Sequence, residues 1–274
     1  MRAALPIEAP LAETVAQETM ANDFTVGRSL HSAGRTARPL AGGPRQGYLG
    51  MRRRMRLLGP ACGALVLAGL GMLAAQRLGW VGTGHAALAA AVHGAALTVV
   101  VLRFRSGASE AEVARARLGA ANLVTLLRTS IFAILLALAL AAPLPRSAAL
   151  VALGLGIAAL VLDGIDGHFA RSRGTASAFG AWFDQETDAA LVAALALLGW
   201  RSGSAGAWIL IAGALRYAFL VALWLAPSLR AELPFSQRRR VICVVQIAAL
   251  LACAAPFLST SVTTPIAAAS VALL

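Results

Sequence analysis

Lysine is absent from this chain, and all 24 of its basic residues are arginine. Acidic residues are scarce too, with only 12 in 274 positions, so 13% of the chain is charged and the net charge is +12. A soluble globule carries more charge than that on its surface. With 59% apolar residues and a mean hydropathy of +0.75, the composition suits an integral membrane protein. A nucleic-acid binder can be equally basic. Here, however, nineteen of the arginines fall in four clusters between apolar runs, which is a topology signal rather than a nucleic-acid footprint.

Other familiar signals are missing as well. The three cysteines, Cys62, Cys243 and Cys253, each lie inside an apolar run with no CxxC or Cys/His spacing, so they read as buried thiols in helices. No Ser-His or Cys-His arrangement calls for a covalent nucleophile. The start, MRAALPIEAPLAE, has no apolar core of the signal-peptide kind. Residues 1–56 are Arg-rich and hold no sustained apolar period before the first apolar run, and are expected to be a mostly disordered cytosolic tail. Met51 opens the basic patch MRRRMRLLGP and is an alternative start.

What remains is apolar. Runs occur at about 57–76, 83–102, 118–142, 147–166, 182–200, 205–227, 241–257 and 259–274. A spanning helix needs roughly 20 residues, and most runs qualify; the last is short and contains Pro265. The two-residue alternation of barrel strands is absent, so the runs are predicted to be helices. Nine Arg precede the first run, and the connections at 103–117, 171–173 and 228–240 hold four, two and four; the opposite connections hold only Arg77, Arg146 and Arg201. This asymmetry places the tail and the Arg-rich connections in the cytosol. The segment from Ser109 opens with Ser-x-x-Glu (Ser109, Glu112), a capping-box pattern. It reads either as a short interfacial helix or as a solvated linker.

Five of the twelve acidic residues fall between Asp163 and Asp188. Asp163 and Asp166 are three apart, Asp184 and Asp188 four apart, so each pair shares a helix face. Two helices joined by a tight turn can aim all four at one point. Such a cluster repels itself unless a cation lies within it, and oxygen-only ligands favour Mg²⁺, Mn²⁺ or Ca²⁺ over zinc. The plainer alternative is helix capping or pairing with Arg171 and Arg173. Gly164, Gly167, Ala170 and Gly180 leave room for a bulky ligand to approach the backbone. Arg171, with its planar fork, suits a phosphate. Together these features imply a diphosphate neutralised from several sides.

In full the stretch reads Asp163-Gly-Ile-Asp166-Gly167-His-Phe-Ala170-Arg171, eight residues, then Gly180-Ala-Trp-Phe-Asp184-Gln-Glu-Thr-Asp188. It resembles the signature of the CDP-alcohol phosphotransferase (phosphatidyltransferase) family, D-x2-D-G-x2-A-R-x8-G-x3-D-x3-D, at all eight fixed positions. Asn122, Thr125 and Arg128 in ANLVTLLR resemble the family's first-helix pattern, with Ala121 where Pro usually stands. The resemblance implies an all-α integral membrane protein. Its catalytic domain is a six-helix transmembrane bundle over 103–274, preceded by an accessory helix pair over 57–102 and the tail over 1–56. It also implies transfer of a phosphatidyl or other substituted phosphate from a CDP-linked lipid alcohol, CDP-diacylglycerol foremost, to an alcohol acceptor with release of CMP, as in phospholipid synthesis.

On that reading Asp163, Asp166, Asp184 and Asp188 hold one or two Mg²⁺ or Mn²⁺ ions, and Asp188 also takes the proton from the attacking hydroxyl. Gly167, Ala170, Arg171 and Gly180 hold the CDP and phosphate. The site faces the cytosol, in a bacterial inner membrane, with membrane lipids as neighbours and no nucleic-acid partner; a homodimer is common in the family. Arg216, inside an apolar run, reads as a contact for an acceptor phosphate or carboxylate, as a snorkelling residue, or as the partner of an Asp. Arg238, Arg239 and Arg240 read as a topology signal or as a pocket for a phosphorylated acceptor. His168 and His93 read as packing residues, and Glu186 is expected to point away from the Asp pair. A transporter or cation-conducting protein is the alternative use of an Asp cluster, but it gives no reason for Gly167, Ala170 and Arg171 at fixed spacing.

Overall fold

The computed structural model describes residues 44–107, 120–172, 178–226 and 237–274. Most of the expected tail, the capping-box segment from Ser109, and Arg173 lie outside them. Among the described residues there are eight α-helices and no strand. They are α1 (Pro44–Arg77), α2 (Thr83–Gly107), α3 (Ala120–Ala141), α4 (Arg146–Ser172), α5 (Ala178–Arg201), α6 (Leu210–Leu225, preceded by a 3-10 turn at Ala207–Ile209), α7 (Gln237–Ala254) and α8 (Thr260–Ala272). Each covers one of the eight apolar runs, but α1 begins at Pro44, so the last residues of the expected disordered tail, 44–56, are helical and lead into the first run. In a bilayer the backbone must satisfy its own hydrogen bonds, and helices do so within one segment.

Five helices are long and apolar enough to cross a membrane: Gly59–Arg77, Thr83–Phe104, Asn122–Ala141, Arg146–Ile165 and Ala207–Leu225. The other three fall short for physical reasons. α5 carries Asp184, Glu186 and Asp188 in its first half. The apolar part of α7 is only Val241–Ala254, and α8 has 13 residues, against the roughly 20 a full span needs. The chain is an integral membrane protein.

α3 is the axis of the bundle. Its apolar window is 67% buried, against 17–28% for the other four, so those helices turn broad faces outward while α3 is enclosed. It packs against α2, α4 and α5; α5 also packs against α6 and α7, and α7 against α4 and α8. The core is rich in alanine: Ala133, Ala137, Ala139, Ala148, Ala152, Ala194 and Ala196 are all buried. Lipid is as apolar as leucine, so helices associate through close packing, and small side chains permit it. Among the described glycines, Gly213 of α6 brings two backbones together: an added Cβ there lies 2.7 Å from Cα of Ala193 on α5. Gly213→Ala is therefore expected to lower stability by about 1–3 kcal/mol through overpacking, read as a lower thermal midpoint in detergent; an unchanged midpoint contradicts this contact.

Polar side chains tie the helices together. Ser130 Oγ donates to Ala64 O at 3.0 Å, linking α3 to α1. Thr263 Oγ1 donates to Ser204 O at 2.6 Å. Arg201, at the end of α5, donates to Leu140 O at 3.2 Å and Ala142 O at 3.0 Å. A cation there meets the carbonyls that the end of α3 leaves without intrahelical partners.

Candidate active site

α3 and α5 begin, and α4 ends, at one end of the bundle. This brings the C-terminal part of α4 beside the first turns of α3 and α5. Carboxylate oxygens of Asp163 on α4 and of Asp184 and Asp188 on α5 lie within 4.8 Å of one another. Divalent ions hold oxygens at roughly 2.0–2.6 Å, so the ligands of one ion lie within about 5 Å of each other. The three carboxylates meet that requirement. Asp163 and Asp188 are 18% and 20% exposed and Asp184 39%, so the cluster is half-buried and opens on the Asp184 side. Asp166 lies one turn beyond Asp163 in α4, followed directly by Gly167, but its side chain falls outside the described residues, as do the side chains of His168, Ala170 and Arg171. Gly180, in the first turn of α5, is half-buried.

Arg128 stands at the centre of this cluster. Its side chain is fully buried. Nη1 lies 2.5 Å from Asp184 Oδ1 and 3.0 Å from Asp163 Oδ1, and Nη2 donates to Asp188 Oδ1. One guanidinium thus joins α3 to α4 and α5. Its fork makes this possible, since two terminal nitrogens can serve three carboxylates from a fixed plane. Asp188 Oδ2 lies 4.0 Å from the Cys243 thiol of α7, a long and weak contact. Asn122 and Thr125 precede Arg128 at three-residue steps on α3. Thr125 is buried, and Asn122 lines a small crevice with Phe179 and Phe183.

α5 has a second polar face. Glu186 is two residues from both Asp184 and Asp188, which on a helix turns it away from them, as expected. Arg216 Nη2 of α6 donates to Glu186 Oε1 at 2.5 Å. Of the uses considered for Arg216 the structure shows pairing, with Glu186 rather than an Asp. The resemblance of Asn122, Thr125 and Arg128 to the family's first-helix pattern marked Arg128 as a candidate, but not that it reaches all three carboxylates. His93 of α2, read as a packing residue, is 1% exposed and lies beside Thr129 of α3. The side chains of Arg238–Arg240 at the start of α7 lie outside the described residues.

Apolar helices gathered around clustered carboxylates define a membrane-embedded helical bundle with a metal-compatible site. The CDP-alcohol phosphatidyltransferase family model matches residues 118–274, and the chain belongs to that family, whose members transfer a phosphatidyl group from a CDP-alcohol. The match takes in α3 to α8 and leaves α1 and α2 outside. No curated protein and no solved structure matches the chain.

Proposed function

We propose that the protein transfers a phosphatidyl group from CDP-diacylglycerol to an alcohol acceptor, releasing CMP, at the cytosolic face of the membrane. The observation that carries this reading is the meeting of Asp163, Asp184 and Asp188 within 4.8 Å at the end of the bundle flanked by Arg-rich connections. Those arginines favour that end for the cytosol, where CDP-linked donors are made, and attract anionic lipid at about 1 kcal/mol each near the surface.

Asp163, Asp184 and Asp188, with Asp166 as the fourth, would hold Mg²⁺ or Mn²⁺. A bound ion supplies neutralisation of the diphosphate charge as CMP departs. Gly167, Ala170 and Gly180 leave space for the nucleotide diphosphate, and Arg171 binds a phosphate oxygen pair. The acceptor hydroxyl oxygen forms a bond to the β-phosphorus, the bond from that phosphorus to the CMP oxygen breaks, and the hydroxyl proton passes to Asp188. Arg128 orients this carboxylate through Oδ1, which leaves Oδ2 to take the proton.

CMP release from CDP-diacylglycerol in the presence of a panel of alcohols tests the reading. Chelation is expected to abolish release, and Mg²⁺ or Mn²⁺ to restore it. Asp163→Asn is expected to raise the metal concentration giving half-activity by about tenfold or more, since losing even an outer-shell partner costs 10–100-fold. Full activity of this variant at wild-type metal concentrations contradicts the assignment. Cation flux in liposomes without CMP release favours the transport alternative.

A further inference from the structure

A second, smaller hydrophobic cluster lies apart from the main core. It buries Ala64 of α1, Leu97 of α2, Leu126 of α3 and Phe183 of α5, with Val100, Phe179 and Trp182 packed against it. Two of its members adjoin the candidate site in the chain. Phe183 directly precedes Asp184, and Leu126 stands two residues before Arg128. The cluster therefore joins the accessory helices to α3 and α5 beside the 2.5 Å contact between Arg128 and Asp184.

The end of α2 closes this cluster over the first turns of α5. Phe104 meets Phe179 edge-on, with ring centroids 5.0 Å apart at 72°. The guanidinium carbon of Arg103 lies 4.8 Å from the centroid of the Trp182 ring, a cation–π distance. The Phe179 ring in turn lies 5.9 Å from Trp182 and 6.1 Å from Phe183. Phe179, Trp182 and Phe183 recur at steps of three and four, the spacing of one helix face. At about 100° per residue, Asp184 and Asp188 fall on roughly the opposite side of α5.

α5 is thus gripped on both sides. On one, Arg128 draws together three carboxylates that repel one another; on the other, α2 holds a stripe of rings. A ligand set works only while its donors stay within about 0.5 Å of their places. The helix that supplies Asp184 and Asp188 can roll or tilt only if the ring contacts yield. α2 lies outside the family match, which begins at residue 118.

We propose that Phe104 and Arg103 are positioning residues for the carboxylate site: through Phe179 and Trp182 they fix the orientation of α5, and with it the places of Asp184 and Asp188. Their role presupposes that the cluster is the metal-holding site of the transferase. It gives the accessory helices a part in that site which the matched core does not contain.

The test measures Mn²⁺ binding to the full chain in nanodiscs by electron paramagnetic resonance, well below every variant's thermal midpoint, alongside CMP release. Asp163→Asn should weaken binding, which locates the ion at the carboxylates. Phe104→Ala and Arg103→Gln are each expected to weaken Mn²⁺ binding by about two- to tenfold, the worth of one such ring or cation–π contact. The Mn²⁺ concentration for half-maximal CMP release should rise by the same factor. Phe104→Tyr, which keeps the ring, should bind Mn²⁺ as the wild type does. Should Phe104→Ala fail to fold, Arg103→Gln decides, since Arg103 is exposed. Wild-type Mn²⁺ affinity in the folded variants overturns the proposal even if their midpoints drop, because α2 would then add stability alone. So does Mn²⁺ binding that is absent from the wild type or indifferent to Asp163→Asn. Mn²⁺ affinities in the expected order without CMP release would sink the assigned reaction and still support the positioning role.

Discussion

Asp188→Asn is expected to reduce CMP release by about 10²–10⁴-fold, the usual worth of a positioned proton acceptor, while binding of CDP-diacylglycerol persists. The substitution keeps the side chain's shape and its oxygen toward Arg128, but an amide does not take up a proton from an alcohol. On the proposed reading Asp188 takes that role: it is one-fifth exposed, so a substrate can reach it, and Arg128 holds one of its oxygens and leaves the other. Binding should survive because Asp163 and Asp184 still face each other across α4 and α5. The decisive measurement is a pair: CMP release under saturating substrate, and donor affinity by direct binding. If turnover stays at the wild-type rate, Asp188 is not the proton acceptor.

Arg128→Ala is expected to have the largest effect on stability. Removing one partner of a buried ion pair costs about 3–5 kcal/mol because the other charge is left uncompensated, and here three carboxylates lose their common cation. The variant should unfold at lower temperature in detergent containing a chelator. Added Mg²⁺ or Mn²⁺ should raise its midpoint more than that of the wild type, since a bound ion then supplies the missing positive charge. Arg128→Lys should fall between, because an ammonium is a point charge and does not reproduce a fork that reaches Asp163, Asp184 and Asp188 together. Wild-type stability of Arg128→Ala in chelator would mean that the guanidinium does not hold the cluster together. The two variants separate chemistry from architecture: Asp188→Asn should fold and fail to turn over, whereas Arg128→Ala should fail first as a structure.

The eight helices were legible in the sequence because a spanning segment has one dominant requirement, a long apolar run, and Arg-rich connections punctuate the runs. Length was less legible. The eight runs look alike in composition, yet five of the helices meet the demands of a lipid-only span, since α5 turns acidic residues inward and α7 and α8 are short. The Asp signature was legible because its spacing places Asp163 on one helix and Asp184 and Asp188 on the next, each pair with a shared face. Glu186 was correctly set apart by the same helical geometry. Its partner Arg216, thirty positions on, was not, since nothing in the local pattern says which helix α6 lies against.

Long apolar runs thus determined the class of fold from the sequence alone, and the Asp-Gly-Arg signature carried the resemblance to the family. The tertiary structure alone decided that Arg128 is the hub of those carboxylates, that Arg216 answers Glu186, and that His93 of α2 lies buried beside Thr129 of α3. The physical reason is range. A helix relates residues three or four apart through its own hydrogen bonds, whereas contacts across 56 or 60 positions, such as Arg128 to Asp184 and Asp188, depend on which helices pack together, and in a membrane that choice is made by small side chains and paired charges scattered along the whole chain.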